Sequence, residues 1–278
     1  MNKNKLVIIG KNSFIGENLY KSIKNKINTR LLSYEQFIKL SNKKIKSLDY
    51  VCNCSLNSEY NKSKYTEKND IDVKIVKRIK NYKTNFIFLS SRKVYSNKNN
   101  IKENDKLNPK CNYSKNKVIT EKKIFKLLPN KLIILRISNV LGLKKQSERR
   151  IHNSFIDNYI KFISSNKKYY YKNDYKDFIT IQQFVKIFYH IIKKKLKGTY
   201  NVSLGKKIYI NEILKWLNYK NSNKNKFFIK KNTYPNDSFT LDNKKLMNSI
   251  KRKISKSEIK KFCKLIGKKI YYRFNYSI

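Results

Sequence analysis

The sequence predicts an α/β fold, a doubly wound parallel sheet completed by a small, mostly helical C-terminal lobe. Three observations carry this. Apolar, strand-type runs alternate with helix-type stretches as far as Ile137, the pattern of a parallel sheet covered on both faces. The first run, Leu6-Val7-Ile8-Ile9, opens onto Gly10-Lys11-Asn12-Ser13-Phe14-Ile15-Gly16 and then a helix-type stretch, Glu17 to Lys26. Strand, glycine turn and helix start together are how such a sheet holds a dinucleotide pyrophosphate. From Leu143 onward the alternation loosens. The expected division is residues 1–142, a dinucleotide-binding domain, and residues 143–278, the rest of the sheet plus a substrate-binding lobe that does not fold alone.

Each element has its own warrant. In the first turn Gly10 supplies the backbone angles, and the amides at the helix start, from Asn12 through Ser13, Phe14 and Ile15 to Gly16, face the phosphates. The helix carries Leu19, Ile23 and Ile27 at one-face spacing. Thr29–Leu32 reads as a short second strand. At its end Arg30 and Ser33 suit a 2′-phosphate while Glu35 suits a free hydroxyl, so NAD and NADP both stay open. Residues 35–47 read as one short helix and a polar turn. Leu48–Cys54 is the third strand, and residues 55–69 read as a polar loop over the cofactor. Asp70 caps a helix with Ile71, Ile75 and Ile79.

Asn85–Leu89 is the fourth strand, ending in Ser90-Ser91, and Asn108-Pro109 is a stop signal. Tyr113 to Leu128 reads as a long helix ended by Pro129-Asn130, followed by the strand Lys131–Ile137. Beyond it, helices are expected over Arg149–Ser164, Ile181–Lys195 and residues 211–219. A short strand is expected at Thr199–Val202, a polar turn at Asn221–Asn225 and a helical tail at 240–270.

Composition excludes more than it assigns. The chain of 278 residues carries 66 Lys and Arg against 18 Asp and Glu, a formal charge of +48. That charge is nearly all lysine; only Arg30, Arg78, Arg92, Arg136, Arg149, Arg150, Arg252 and Arg273 bring a guanidinium. Base readout and bidentate phosphate clamps favour arginine. The lysines are also spread along the whole chain. Specific nucleic-acid binding is therefore not expected, whereas adhesion to polyanions at low salt is. No apolar run approaches the ~18 residues of a membrane span. The basic opening Met-Asn-Lys-Asn-Lys precedes only four apolar residues, too few for a signal peptide. Cys52, Cys54, Cys111 and Cys263 read as reduced thiols of a cytoplasmic protein, and Cys52 with Cys54 makes a poor zinc site. No metal is expected.

The chemistry sits in Tyr113-Ser114-Lys115-Asn116-Lys117, where tyrosine and lysine share one helix face, one turn apart. A phenol with pKa near 10 is a poor acid–base group at neutral pH, and a cation beside it favours the phenolate. Ser91, at the end of a central strand, is placed to donate a hydrogen bond to a substrate carbonyl oxygen. Proton and hydride transfer are then served without a metal.

The order of these motifs resembles the extended short-chain dehydrogenase/reductase family, the NAD-dependent epimerase/dehydratase branch acting on nucleotide-linked sugars. The resemblance runs over most of the chain. Gly10–Gly16 stands for the family's glycine turn, with Ser13 at its middle glycine, and Asn53-Cys54-Ser55 for the segment after the third strand. Phe88–Tyr95 matches the strand-end serine motif, with Ser91 at the catalytic position and Ser90 beside it. Tyr113 and Lys117 match the catalytic pair. Leu135–Gly142, Lys176-Asp177-Phe178-Ile179 and Gly198–Val202 match three later segments, Lys176 replacing an arginine.

The resemblance implies a Rossmann fold binding NAD or NADP. Gly10, Asn12, Ser13, Phe14, Ile15, Gly16, Arg30, Ser33, Asn53, Ser90, Tyr113 and Lys117 would line the cofactor. Ser91, Asn139 and Lys176 would meet the nucleotide sugar, and a homodimer would form through the tyrosine–lysine helix and its neighbour. Family members epimerise, reduce or dehydrate. Dehydratases usually carry an acid beside the serine, where this chain has Arg92 and Lys93. The compact stretch from Leu143 to Asp177 favours reduction of a keto-sugar in surface-polysaccharide synthesis, with Tyr113 as proton donor. An epimerase with retained NAD, or a non-catalytic cofactor binder, is the alternative.

Overall fold

The computed structural model of the chain describes residues 4–144, 154–164, 169–172, 174–219, 227–229 and 237–275. Its first half alternates strand and helix. β1 (Lys5–Ile9), α1 (Phe14–Ile23), β2 (Asn28–Leu32), α2 (Tyr34–Ile38), α3 (Asn42–Lys46) and β3 (Tyr50–Asn53) come first. They lead to α4 (Ser58–Lys62), α5 (Ile71–Ile79), β4 (Asn85–Ser91), α6 (Asn112–Leu127) and β5 (Leu132–Ile137). The second half holds β6 (Asn139–Leu141), α7 (Phe155–Ser164), β7 (Tyr169–Tyr171), β8 (Tyr175–Lys176), β9 (Phe178–Thr180) and α8 (Ile181–Lys193). After these come β10 (Gly198–Val202), β11 (Ile208–Tyr209), α9 (Ile210–Leu217), β12 (Phe227–Ile229), α10 (Lys244–Ile250) and α11 (Lys256–Asn275).

Six strands form one parallel sheet in the order β10-β5-β4-β3-β1-β2. The chain runs outward from β1 to β2, then returns to β3 on the other side of β1. That reversal makes the carboxyl ends of β1 and β3 the topological switch point, where doubly wound sheets take their ligands.

The apolar runs are continuous because both faces are covered. Leu6 and Ile8 of β1, Cys52 of β3, Ile87 of β4 and Ile133 and Leu135 of β5 join Leu19, Phe184 and Phe188 from α1 and α8. Their neighbours Val7, Ile9, Val51, Phe86, Phe88 and Ile134 join Phe37, Val73, Val76 and Ile124 from α2, α5 and α6. Strand period two sends alternate residues to opposite cores. A third core, with Ile156, Phe178, Ile213, Ile259 and Phe262, belongs to the C-terminal lobe. A fourth, with Val94, Tyr95, Phe239 and Leu241, ties the turn after β4 to a late segment of the chain.

Two expectations are corrected. Residues 35–47 hold two helices, because Ser33 and Ser41 each cap a separate one. Residues 55–69 are not a bare loop. Asn57 caps α4, whose Tyr60 is buried with its hydroxyl 2.7 Å from Thr120 Oγ1 on α6. Asn116 of α6 donates to the Tyr60 and Ser63 carbonyls (2.7 and 2.9 Å). The segment is thus pinned to α6. The start of the helix expected from Arg149, and the turn at Asn221–Asn225, lie outside the described residues.

Candidate active site

The site begins where β1 ends. Gly10 has φ +119°, and a Cβ there would stand 3.0 Å from the Cys54 carbonyl carbon and the Ser55 nitrogen. At Gly16 a Cβ would stand 2.6 Å from the Gly10 carbonyl oxygen. Neither space can hold a side chain, so both glycines are required for α1 to start this close to β1 and β3. Ser13 needs no glycine's freedom: its φ is −81° and ψ 134°. It is the N-cap of α1, its Oγ accepting from the Gly16 amide at 3.4 Å. Serine at this position thus does a capping job that glycine cannot. Phe14 is buried against Gly142, Asn12 is exposed and Ile15 half-buried. A turn emptied of side chains in front of a helix N-terminus fits a dinucleotide pyrophosphate.

The residues read as ribose selectors have other duties as well. Ser33 Oγ accepts from the Gln36 amide (3.2 Å) while Gln36 Oε1 accepts from the Ser33 amide (3.0 Å), a reciprocal cap of α2. Glu35 is exposed, and a hydrogen bond with Ser33 holds its carboxyl below the usual value. Arg30 is exposed on β2. Asn53 is buried at the end of β3 with its amide fully engaged. Its Nδ2 donates to Asp72 Oδ1 (2.8 Å) and the Ser55 carbonyl (3.2 Å); its Oδ1 accepts from the Ser55 amide and hydroxyl (3.0 and 2.6 Å).

The tyrosine–lysine pair opens α6. Tyr113 is half-buried and Lys117 is 5% exposed. The Lys117 ammonium lies 4.4 Å from the ring centre of Phe88, 5.5 Å from that of Tyr60 and 6.0 Å from that of Tyr113. It also lies 3.7 Å from Asp72 Oδ2 on α5. A buried ammonium is costly without partners, and here aromatic faces and one carboxylate supply them.

Ser91 closes β4, half-buried, its Oγ accepting from the Lys93 amide (3.2 Å). Ser90 faces the other way along the strand alternation. Its hydroxyl donates to Glu121 Oε1 (2.5 Å), and Glu121 pairs with Arg136 at 2.7 Å. Ser90 therefore knits β4 to α6 and β5. Asn139, half-buried on β6, is in register with Phe178 of β9. Lys176 pairs with Asp237 at 2.5 Å.

Four features escaped the sequence reading. Asp72 is buried beside Lys117. Glu121 and Arg136 form a buried ion pair beside Ser90. Arg92 bonds Asp237 (2.9 Å) and Asn97 (2.6 Å) and stacks 4.0 Å from the Phe239 ring centre. Asp177 accepts from the amides of Leu204 and Leu241 (both 3.0 Å) and Gly205 (3.1 Å). The usable signal was scarcity: in a chain with 18 acids, an acid within an apolar helix face is conspicuous. Among the described residues no group of three or more His, Cys, Asp or Glu is placed to hold a metal ion. The four cysteines are free.

Comparison with known proteins bears on the fold and the family. A search among curated proteins found no match to the chain. Solved structures do match. A UDP-N-acetylglucosamine 4-epimerase from Methanobrevibacter ruminantium M1, in complex with UDP-N-acetylmuramic acid, superposes with TM-score 0.79 at 19% identity, over 98% of this chain and 100% of that one. RMD from Pseudomonas aeruginosa, complexed with NADPH, gives 0.78 at 15%, over 97% and 99%. A dTDP-glucose 4,6-dehydratase from Bacillus anthracis str. Ames, in complex with NAD, gives 0.73 at 14%, over 98% and 97%. At these identities the likeness is one of fold. The family itself is shown by sequence: residues 6–203 match the model of the NAD dependent epimerase/dehydratase family, and the chain belongs to that family.

Proposed function

We propose that the protein is an NAD- or NADP-dependent oxidoreductase acting on a nucleotide-activated sugar, and that it reduces a keto-sugar. The observation that carries the reading is the Tyr113–Lys117 pair opening α6, with Ser91 ending β4, on a sheet whose switch point holds the Gly10–Gly16 cradle. A bound nicotinamide would supply the hydride. Lys117 would hold the cofactor ribose and lends positive charge to the Tyr113 side. Ser91 donates a hydrogen bond to the substrate oxygen, and the Tyr113 hydroxyl gives that oxygen its proton as the carbonyl is reduced. Asn139 and Lys176 would meet the nucleotide sugar. Arg92 and Lys93, where an acid would serve elimination, argue against dehydration.

Epimerisation is the second reading, favoured by the full-length match to the Methanobrevibacter 4-epimerase. Mass spectrometry of small molecules that copurify separates the two. Tightly retained NAD favours epimerisation, whereas a site filled only by added NADPH favours reduction. Tyr113→Phe is expected to cut turnover on the identified substrate at least ~100-fold while leaving cofactor affinity within a few-fold. Full turnover by that variant would overturn the mechanism. A cytoplasmic setting and a homodimer through α5 and α6 belong to the same reading. Among the described residues no helix is long and apolar enough to cross a membrane.

A further inference from the structure

Asp72 is the second residue of α5 and is 3% exposed. One of its oxygens accepts from Asn53 Nδ2 at 2.8 Å and the other faces the Lys117 ammonium at 3.7 Å. The carboxylate therefore bridges the end of β3, which closes against the glycine turn, to the lysine of α6. Asp70, the N-cap of α5, accepts from Thr120 (2.5 Å) and Tyr65 (3.0 Å). Tyr60 and Tyr65, together with Cys52 of β3, have their ionisations pushed up by burial and, in smaller part, by Asp72 itself. Lys117 completes the set, and its ammonium lies 6.0 Å from the Tyr113 ring centre. Lys117 is the one cation facing Asp72 in this set. Burial raises the Asp72 carboxyl above its usual value, and the Lys117 ammonium opposes that rise.

We propose that Asp72 is a positioning residue for the reaction, holding Lys117 in a neutral buried pair so that Tyr113 feels a screened cation rather than a bare one. The proposal rests on the reading of Tyr113 and Lys117 as the reacting pair. The sequence places a lysine one turn from the tyrosine. In the fold, the same ammonium is shared between Tyr113 and a carboxylate clamped by Asn53. Asp72 thereby sets two quantities: where the ammonium sits, and how much of its charge reaches Tyr113. A carboxylate serving only to fill space would set neither.

The test reads Tyr113 directly and needs no substrate. Protein carrying 13C at tyrosine Cζ is titrated by NMR, the Tyr113 resonance being assigned from its loss in Tyr113→Phe. Asp72→Asn is expected to lower the Tyr113 midpoint by about one pH unit, because the lysine charge is no longer screened. Lys117→Met is expected to raise it. Where a substrate has been identified, the acid limb of the turnover profile moves down with the Asp72→Asn midpoint. A Tyr113 midpoint unchanged in Asp72→Asn would overturn the proposal. Should that variant not fold, Asp72→Ser is read in the same way. Binding of NADH and of NADPH, followed by nucleotide fluorescence, judges the functional reading separately. Absence of binding of both nucleotides sinks that reading, while the NMR titration still decides the role of Asp72.

Discussion

Gly16 places its hydrogen where a methyl group would meet the Gly10 carbonyl oxygen at 2.6 Å, and that oxygen belongs to backbone, which cannot swing aside. Gly16→Ala must push α1 away from β1. Overpacking of this kind costs ~1–3 kcal/mol, and the displaced helix start is the proposed pyrophosphate site. The variant is expected to melt several degrees lower and to bind NADH at least ~10-fold more weakly; wild-type affinity would show that the cofactor does not use this turn. Ser13 sits three residues away and tolerates its side chain because its backbone is extended. The sequence shows where the glycines stand, and spacing identifies Tyr113 and Lys117, since both lie on one helix. Asp72 was not legible by the same means. Its partners Asn53 and Lys117 lie on a strand and another helix, and only the packing of α5 against both brings them together.

At the scale of elements, the strands were the legible part. β1, β3, β4 and β5 are near-continuous apolar runs because helices bury both of their faces. α4 was hidden because its five residues, Ser-Glu-Tyr-Asn-Lys, bury one side chain, Tyr60. Elements of the lobe are joined instead by a carboxylate. Asp177, between β8 and β9, accepts backbone hydrogen bonds from the end of β10 and from Leu241. Burial raises its carboxyl to about 7, although those amides favour the ionised form. An unfolded chain would titrate this group near pH ~3.9. Between these values the folded state holds a proton that the unfolded state has lost. The Asp177 contribution is therefore complete below about pH 4 and is lost as pH rises through about 7, with a slope of at most ~1.4 kcal/mol per pH unit. Asp177→Asn is expected to lower the melting temperature and to flatten its pH dependence across this window. An identical slope in both proteins would refute the assignment. Some slope remains in the variant from Asp72, whose carboxyl burial also raises.

The whole molecule carries +48, and several of its few acids lie inside: Asp70, Asp72, Glu121 and Asp177 are all buried. The surface is consequently more one-sided than the composition, and like charges repel across it. Screening weakens that repulsion over ~10 Å at ~0.1 M salt. The protein is expected to melt higher as salt is added. It is also expected to leave a heparin column at moderate salt without change in NADH affinity. Retention at high salt would point to a built polyanion site. The charge was the most visible feature of the sequence and the least informative about its chemistry, because lysine this evenly spread marks no particular surface.

The brace on Arg92 has a consequence in time. The turn after β4 leans on residues far along the chain: Arg92 on Asp237, the Asn100 amide on Thr240, and the Ile101 carbonyl on the Asp242 amide. Synthesis runs from the N-terminus, and contacts between distant segments wait for both partners. Every residue of the glycine cradle and of the Tyr113–Lys117 pair is therefore made before the segment that steadies the neighbour of Ser91. The edge proposed to meet the sugar is the last part of the site to acquire its full set of contacts.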